Sequence, residues 1–301
     1  MNESMLIIRM NRLLLFIITI GAWSVSTGCA LASFGTAEPA PFIPSEARRE
    51  PLSPADQLEV RYIANEGVLI TAGGKRVLID GLHRRYGPEY AYLPVPEREK
   101  IESARPPFDA IDLVLVSHRH GDHFHPESVG LYLKNSPKTL FASSQQVVDE
   151  AAAGFAGYEA IKGRVTPIPF TLQDRRSMNL AGIDVEFLGL GHGSGRHSTI
   201  QNLGHVISLG GKKLLHVGDA EFTADIFDAF DLEQKGIDIA FLPAWFLTNK
   251  MGRDLVEQHI KPKHIIAVHV GPNEADEVRK QIKPYFPDAD VFGTMLEKRQ
   301  Y

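Results

Sequence analysis

The chain has 301 residues, of which 44% are hydrophobic and 23% charged, enough for a globular protein with a large core. Its formal net charge is −5 and no basic block runs beyond a few residues. That balance argues against sequence-independent binding to nucleic acid, which needs clustered Lys and Arg, but leaves room for a small phosphate-bearing substrate.

Residues 1–32 read as an export signal. Arg9 and Arg12 precede the apolar stretch Leu13 to Ala22, which is short for a bilayer span and has the shape of a signal-peptide core. Two processing sites compete. Ala30-Leu31-Ala32 fits cleavage before Ser33, whereas Ser26-Thr27-Gly28-Cys29 resembles a bacterial lipoprotein box that would leave Cys29 lipidated. Either way the expected location is the bacterial envelope, periplasmic or membrane-anchored. Cys29 is the only cysteine, so the remaining chain has no disulfides or thiolate ligands and any metal must be held by His and carboxylate.

Residues 33–57, rich in Pro, Ala and Ser, read as a flexible linker, and the domain is expected over 58–301. Leu58–Ile63, Val68–Thr71 and Lys75–Ile79 form a predicted meander with turns at Asn65-Glu66-Gly67 and Gly73-Gly74. Residues 84–108 lack a clear period and read as a loop over the site. The apolar run Asp112–Val116 predicts a strand, followed by a helix from Pro126 to about Leu133, a strand at Thr139–Ala142 and a helix over Ser144–Ala153. Further strands are expected at Val165–Phe170, Ile183–Leu190, His205–Leu209 and Lys213–Val217. Strand and helix then alternate through Ile237–Leu242, Arg253–Ile260, His264–Val268, Glu274–Ile282 and Asp290–Phe292. A meander followed by alternation predicts an α/β protein with a four-layer αββα sandwich.

Four of the chain's 12 histidines lie between His118 and His125. His118 and His120 are two apart at a strand end and share a face. His118-x-His120-x-Asp122-His123 thus offers two adjacent ligand sets of the type zinc accepts without thiolate. Downstream, His192 sits in Gly191-His192-Gly193-Ser194-Gly195 after a strand, Asp219 follows the strand Lys213–Val217, and His269 ends the run Ile265–Val268. Strand ends are where α/β proteins place ligands.

The run Ser117-His118-Arg119-His120-Gly121-Asp122-His123-Phe124 resembles the signature of the metallo-β-lactamase superfamily. The Gly-His-Gly-Ser-Gly, Val-Gly-Asp-Ala and Ala-Val-His-Val-Gly segments follow in its order, and Ile63–Asp80 is similar to its first hairpin. The likeness covers about residues 58–293 and lies nearest the branch of ascorbate-phosphate lactonases and the N-acylphosphatidylethanolamine-hydrolysing phospholipase D. It implies two Zn²⁺, with manganese or iron as other ions for the same donors. His118, His120 and His192 would hold the first, with His197 the rival third ligand. Asp122, His123 and His269 would hold the second, and Asp219 would bridge. The pair would share a hydroxide of pKa near ~7, with Asp122 as the catalytic carboxylate that helps orient it. Two departures from those relatives are Asn65 where they tend to carry His, and Asp80-Gly81 where Asp-Pro is common.

Arg196, His197 and Trp245 are the candidate substrate contacts. His83 is a further candidate to point into the site, and His125 is either near the metals or a helix-start residue. His205, His216, His259 and His264 read as strand or helix-surface residues. The function expected is hydrolysis of a small ester, lactone or phosphodiester. A membrane-lipid phosphodiesterase and a catalytically silent metal-binding protein of the same fold are the alternatives. Nothing in the sequence fixes the oligomeric state.

Overall fold

A computed structural model describes residues 57–301. The expected signal segment 1–32 with Cys29, and the linker apart from Gln57, lie outside the described residues. Among the described residues, no helix is long and apolar enough to cross a membrane.

Two seven-stranded sheets form the body. The first uses β1 (Glu59–Tyr62), β2 (Val68–Ala72), β3 (Lys75–Ile79), β4 (Leu113–Leu115), β5 (Leu140–Ser144) and β6 (Val165–Ile168). The second is built from β7 (Arg175–Leu180), β8 (Ile183–Gly191), β9 (Gln201–Leu209), β10 (Lys212–His216), β11 (Ile239–Pro243), β12 (His264–Val268) and β13 (Asp290–Val291). The last strand, β14 (Lys298–Gln300), returns antiparallel to β1 at the edge of the first sheet. Each sheet begins as an antiparallel meander and continues with parallel strands, β3 to β6 in one and β10 to β13 in the other.

The period-two alternation of the strands sets the layering. Leu113 and Leu115 face Phe241, Ile266 and Val268 in the core between the sheets. Val114, one residue out of phase, packs outward with Val129, Tyr132 and Val147 of helices Pro126–Asn135 and Gln145–Gly154. On the far side, Ala240, Leu242, Ile265 and Ala267 pack under Phe246, Leu255 and Ile282 of the C-terminal helices. The order is therefore helix, sheet, sheet, helix, the four-layer αββα sandwich expected.

Local chemistry sets most boundaries. Pro126 opens its helix at the first turn, where its missing N–H costs nothing. The next helix is capped by Ser144, whose hydroxyl accepts from the Val147 amide. Several elements depart from the sequence reading. The stretch 84–108 is not all loop, because a helix runs from Val95 to Glu102 with proline in its first turn. Its burial carries little helical period, with only Ile101 and Glu102 buried. Strand β7 was not expected, since five of its six residues are exposed and no apolar alternation marks it. Helix begins ahead of the Arg253 start expected, at Ala244–Thr248 and Lys250–Leu255, and a π turn continues it to Ile260. His205 and His216 are strand residues as expected, paired across the neighbouring strands β9 and β10 and fully buried there.

Candidate metal centre

The site forms where the two sheets open at the C-terminal ends of their parallel strands. From the first sheet, the turn after β4 carries Ser117 to His123. From the second come His192 just after β8, Asp219 after β10 and His269 after β12. His269 has a left-handed backbone, φ +52°, and its amide donates to the Asn65 carbonyl at 3.0 Å, which ties the two halves together across the cleft.

Two groups of donors result. One ligand atom from each of His118, His120, His192 and Asp219 lies within 4.8 Å of the others, as do those of Asp122, His123, Asp219 and His269. In the first group His118 Nε2 is 3.0 Å from His120 Nδ1 and 3.1 Å from His192 Nε2. Asp219 Oδ2 is 3.5 Å from His192 Nε2 and 3.8 Å from His118 Nε2. In the second, His123 Nε2 is 3.3 Å from Asp122 Oδ2 and 3.3 Å from Asp219 Oδ1, and His269 Nε2 is 3.3 Å from Asp122 Oδ2. Among the described residues, Asp219 alone belongs to both groups, while His123 also joins Glu66 and Asp80 in a third, fully buried one.

These residues fit a pair of divalent cations. Zinc–nitrogen bonds of ~2.0–2.1 Å in a tetrahedral site place neighbouring donors ~3.3 Å apart, close to the spacings seen. His123 Nε2, His269 Nε2 and Asp219 Oδ1 are buried and turned to one another without a hydrogen-bond partner. Buried polar atoms left in this state are costly unless a cation satisfies them.

The surrounding contacts fix which nitrogen faces the centre. Asp80 is fully buried and accepts from the Ser117 amide at 2.7 Å, the Ser117 hydroxyl at 2.5 Å and His123 Nδ1 at 2.9 Å. Ser117 Oγ in turn lies 3.0 Å from His118 Nδ1. His118 and His123 thus both present Nε2. Asn65 Nδ2 donates to Asp122 Oδ2 at 3.0 Å.

Electrostatics sharpen the division of labour. Burial, helped by the His123 charge, holds His118 well below the ordinary histidine value, and burial next to His192 lowers His120 to about 4. Both are therefore neutral lone-pair donors at neutral pH. Burial would also lower His123, but Asp219 and Asp122 overcome it and raise the imidazole well above its usual range. Burial works against the carboxylates of Asp122 and Asp219 as well, yet His123 holds both well below theirs. Left to itself, this pocket of carboxylates draws in positive charge. Glu66, also buried, lacks a hydrogen-bond partner on either oxygen. Burial and then Asp219 push it well above the carboxylate range.

A cleft of about 440 Å³ opens over the cluster, walled by Tyr86, Tyr90, Arg196 and His197. His197 stacks on His192 with ring centroids 5.1 Å apart but belongs to neither donor group, and Arg196 Nε donates to it at 3.0 Å. Trp245 is not among the side chains that wall this cleft. The helix that starts directly after β11 sets its indole edge-on against His269, at 4.8 Å, with its N–H on the Ala220 carbonyl. His83 is buried, bonds to its neighbour's carbonyl and enters neither group. His125 is the residue before the Pro126 helix. Tyr86, Tyr90 and the buried Glu66 were not singled out from sequence. Aromatic side chains in a stretch expected to cover the site were the available signal for the two tyrosines.

Fold and site together define a class, the metal-dependent hydrolases of the metallo-β-lactamase fold. The chain belongs to the beta-lactamase superfamily, whose domain description matches residues 75–285. It is 28% identical over 218 residues to a UPF0173 metal-dependent hydrolase of Thermus thermophilus, covering 70% of this chain and 83% of the relative. With one of Pyrococcus furiosus it shares 26% identity over 202 residues, 65% and 78% of the two chains. Among solved structures, the metallo hydrolase Igni18 of Ignicoccus hospitalis superposes with a TM-score of 0.54 at 16% identity, covering 81% of this chain and 98% of that one. The metallo-β-lactamase-fold protein YhfI of Bacillus subtilis gives 0.54 at 14% identity, covering 82% and 100%.

Proposed function

We propose that this protein is a binuclear zinc-dependent hydrolase of a small ester, lactone or phosphodiester. The observation that carries the reading is Asp219, shared by two donor groups that together comprise five imidazoles and two carboxylates. Two divalent cations bound there would supply Lewis acidity to a carbonyl or phosphoryl oxygen and acidify a water molecule.

The chain's own residues do the rest. His118, His120 and His192 stand on one side of Asp219, and Asp122, His123 and His269 on the other. Asp80 and Ser117 fix the imidazoles of His123 and His118 in orientation. Asp122, steered by Asn65, keeps a carboxylate at the cleft floor that can hold a proton-bearing nucleophile in line. Arg196 on the cleft wall offers a positive charge to an anionic substrate group, and His197 beside it a hydrogen-bonding edge. The histidine-rich ligand set suits zinc without thiolate and also accepts manganese or iron.

His120→Ala tests this directly. It should lower bound zinc from about two equivalents toward one and cut turnover by orders of magnitude, while His259→Ala, at a half-exposed histidine paired with Asp228, should change neither. Equal behaviour of the two variants would refute the ligand assignment. We also propose that residues 1–32 direct export and that Cys29 is a lipid-attachment site.

A further inference from the structure

We propose that the substrate carries an unbranched acyl or alkyl chain, held in an apolar groove that leads away from the metal cleft past Tyr90. This deepens the hydrolase reading and rests on it for the position of the reacting group.

The groove holds about 550 Å³, within the ~300–1,000 Å³ usual for small-molecule sites. Its walls are mainly apolar, with Tyr62 and Phe292 stacked at 5.5 Å and 2° between ring planes and Val270 and Pro272 beside them. Two features set it beside the metal centre. Tyr90 lines both cavities and meets the His269 ring edge-on at 5.6 Å. Val270, in the groove, is the residue directly after His269.

The metal cleft and the groove differ in character in the way an amphiphile requires. One end is lined by His120, Asp122, Arg196 and Asp219, the other by aliphatic and aromatic carbon. A chain whose polar end reaches the imidazoles has Tyr90 at its bend and leaves over Val95 and Met295. Those two side chains line the groove and are 52% and 38% exposed, large hydrophobic groups over which nothing packs among the described residues. A compact polar substrate would leave that surface unused.

The test is binding of n-alkyl hydroxamates, from acetohydroxamate to decanohydroxamate, to the zinc-loaded protein by titration calorimetry. The hydroxamate head reports the metal centre and the tail reports the groove. Affinity should rise about fourfold per added methylene until the groove is filled. In the double variant Val95→Glu, Met295→Glu that rise should vanish while acetohydroxamate binds as before. Both substitutions are at exposed positions and should leave the fold intact.

Equal affinity for all chain lengths, with acetohydroxamate still bound, would overturn the groove and leave the hydrolase reading standing. A length dependence that persists after zinc is stripped would support the groove while counting against the metal reading. No binding by any member would overturn both. A dimer in sedimentation that the same two substitutions disperse would assign the groove to a second copy of the chain and overturn the proposal.

Discussion

Asn65, in the turn after β1, donates from its Nδ2 to the Asp122 carboxylate at 3.0 Å on its own side of the cleft, while its carbonyl receives the His269 amide from the other side at 3.0 Å. The residue has a left-handed backbone, φ +52°, which asparagine tolerates better than most. One residue thereby positions two members of the second donor group, Asp122 through its side chain and His269 through its backbone carbonyl.

Asn65→Ala should leave the fold intact and weaken binding of one cation by about ten- to a hundredfold, the usual effect of removing a support behind a ligand. Chelator competition would measure it. Both cations weakening alike would mean that Asn65 supports the whole centre rather than one half.

Asp80→Asn keeps the left-handed backbone, φ +45°, but removes the charge that receives Ser117 and His123. Breaking a buried hydrogen-bonded charge network costs about 3 kcal/mol or more. Thermal unfolding should fall by many degrees and zinc content should drop with it. An unchanged melting temperature would show that the network contributes no stability.

Gly218 precedes Asp219 with φ +57°, and a Cβ there would lie 2.4 Å from Asn202 Oδ1 and 2.6 Å from Ser117 Cβ. Gly218→Ala should therefore cost about 1–3 kcal/mol in backbone strain and contact. It should also displace the shared carboxylate, so both cations weaken together. This contrasts with the one-sided loss expected for Asn65→Ala, and paired metal titrations separate the two.

Burial, and then neighbouring His216, hold His205 down at about 3, against ~6.5 in an unfolded chain. Between those values the unfolded state binds the extra proton, so stability falls as pH drops through about 6.5, by up to ~1.4 kcal/mol per pH unit for this group. His205→Leu should flatten part of that acid slope in denaturant titrations run from pH 7.5 to 5. An unaltered slope would place the acid sensitivity elsewhere.

For export, cells given a radioactive fatty acid should label the wild-type protein and not Cys29→Ala. Labelling of neither would leave cleavage before Ser33 as the route.

The sequence made the donors legible because metal chemistry needs particular side chains at strand ends. The spacing His118-x-His120-x-Asp122-His123, and single residues after three later strands, survive without any knowledge of packing. The layer order was legible for the same kind of reason, as period-two burial in β4, β11 and β12 is written in apolar residues. Strand β7 was not, since an exposed edge strand buries almost nothing and leaves no pattern. The helix Val95–Glu102 was hidden by two prolines and many charges. His205 and His216 were legible as strand residues, but their full burial was not, because polarity alone does not reveal that a strand has both faces covered. Trp245, expected against substrate, meets His269 edge-on from the short helix that follows β11, a contact that sequence does not reveal.

The donors of each group come from both sheets, and this makes metal and fold partners in one equilibrium. Ions bound across the seam would stabilise the native protein by mass action, in proportion to the logarithm of free metal over its dissociation constant. Resistance to heat would then be a property of the surrounding medium as much as of the polypeptide, and a metal-poor compartment would shorten the protein's lifetime.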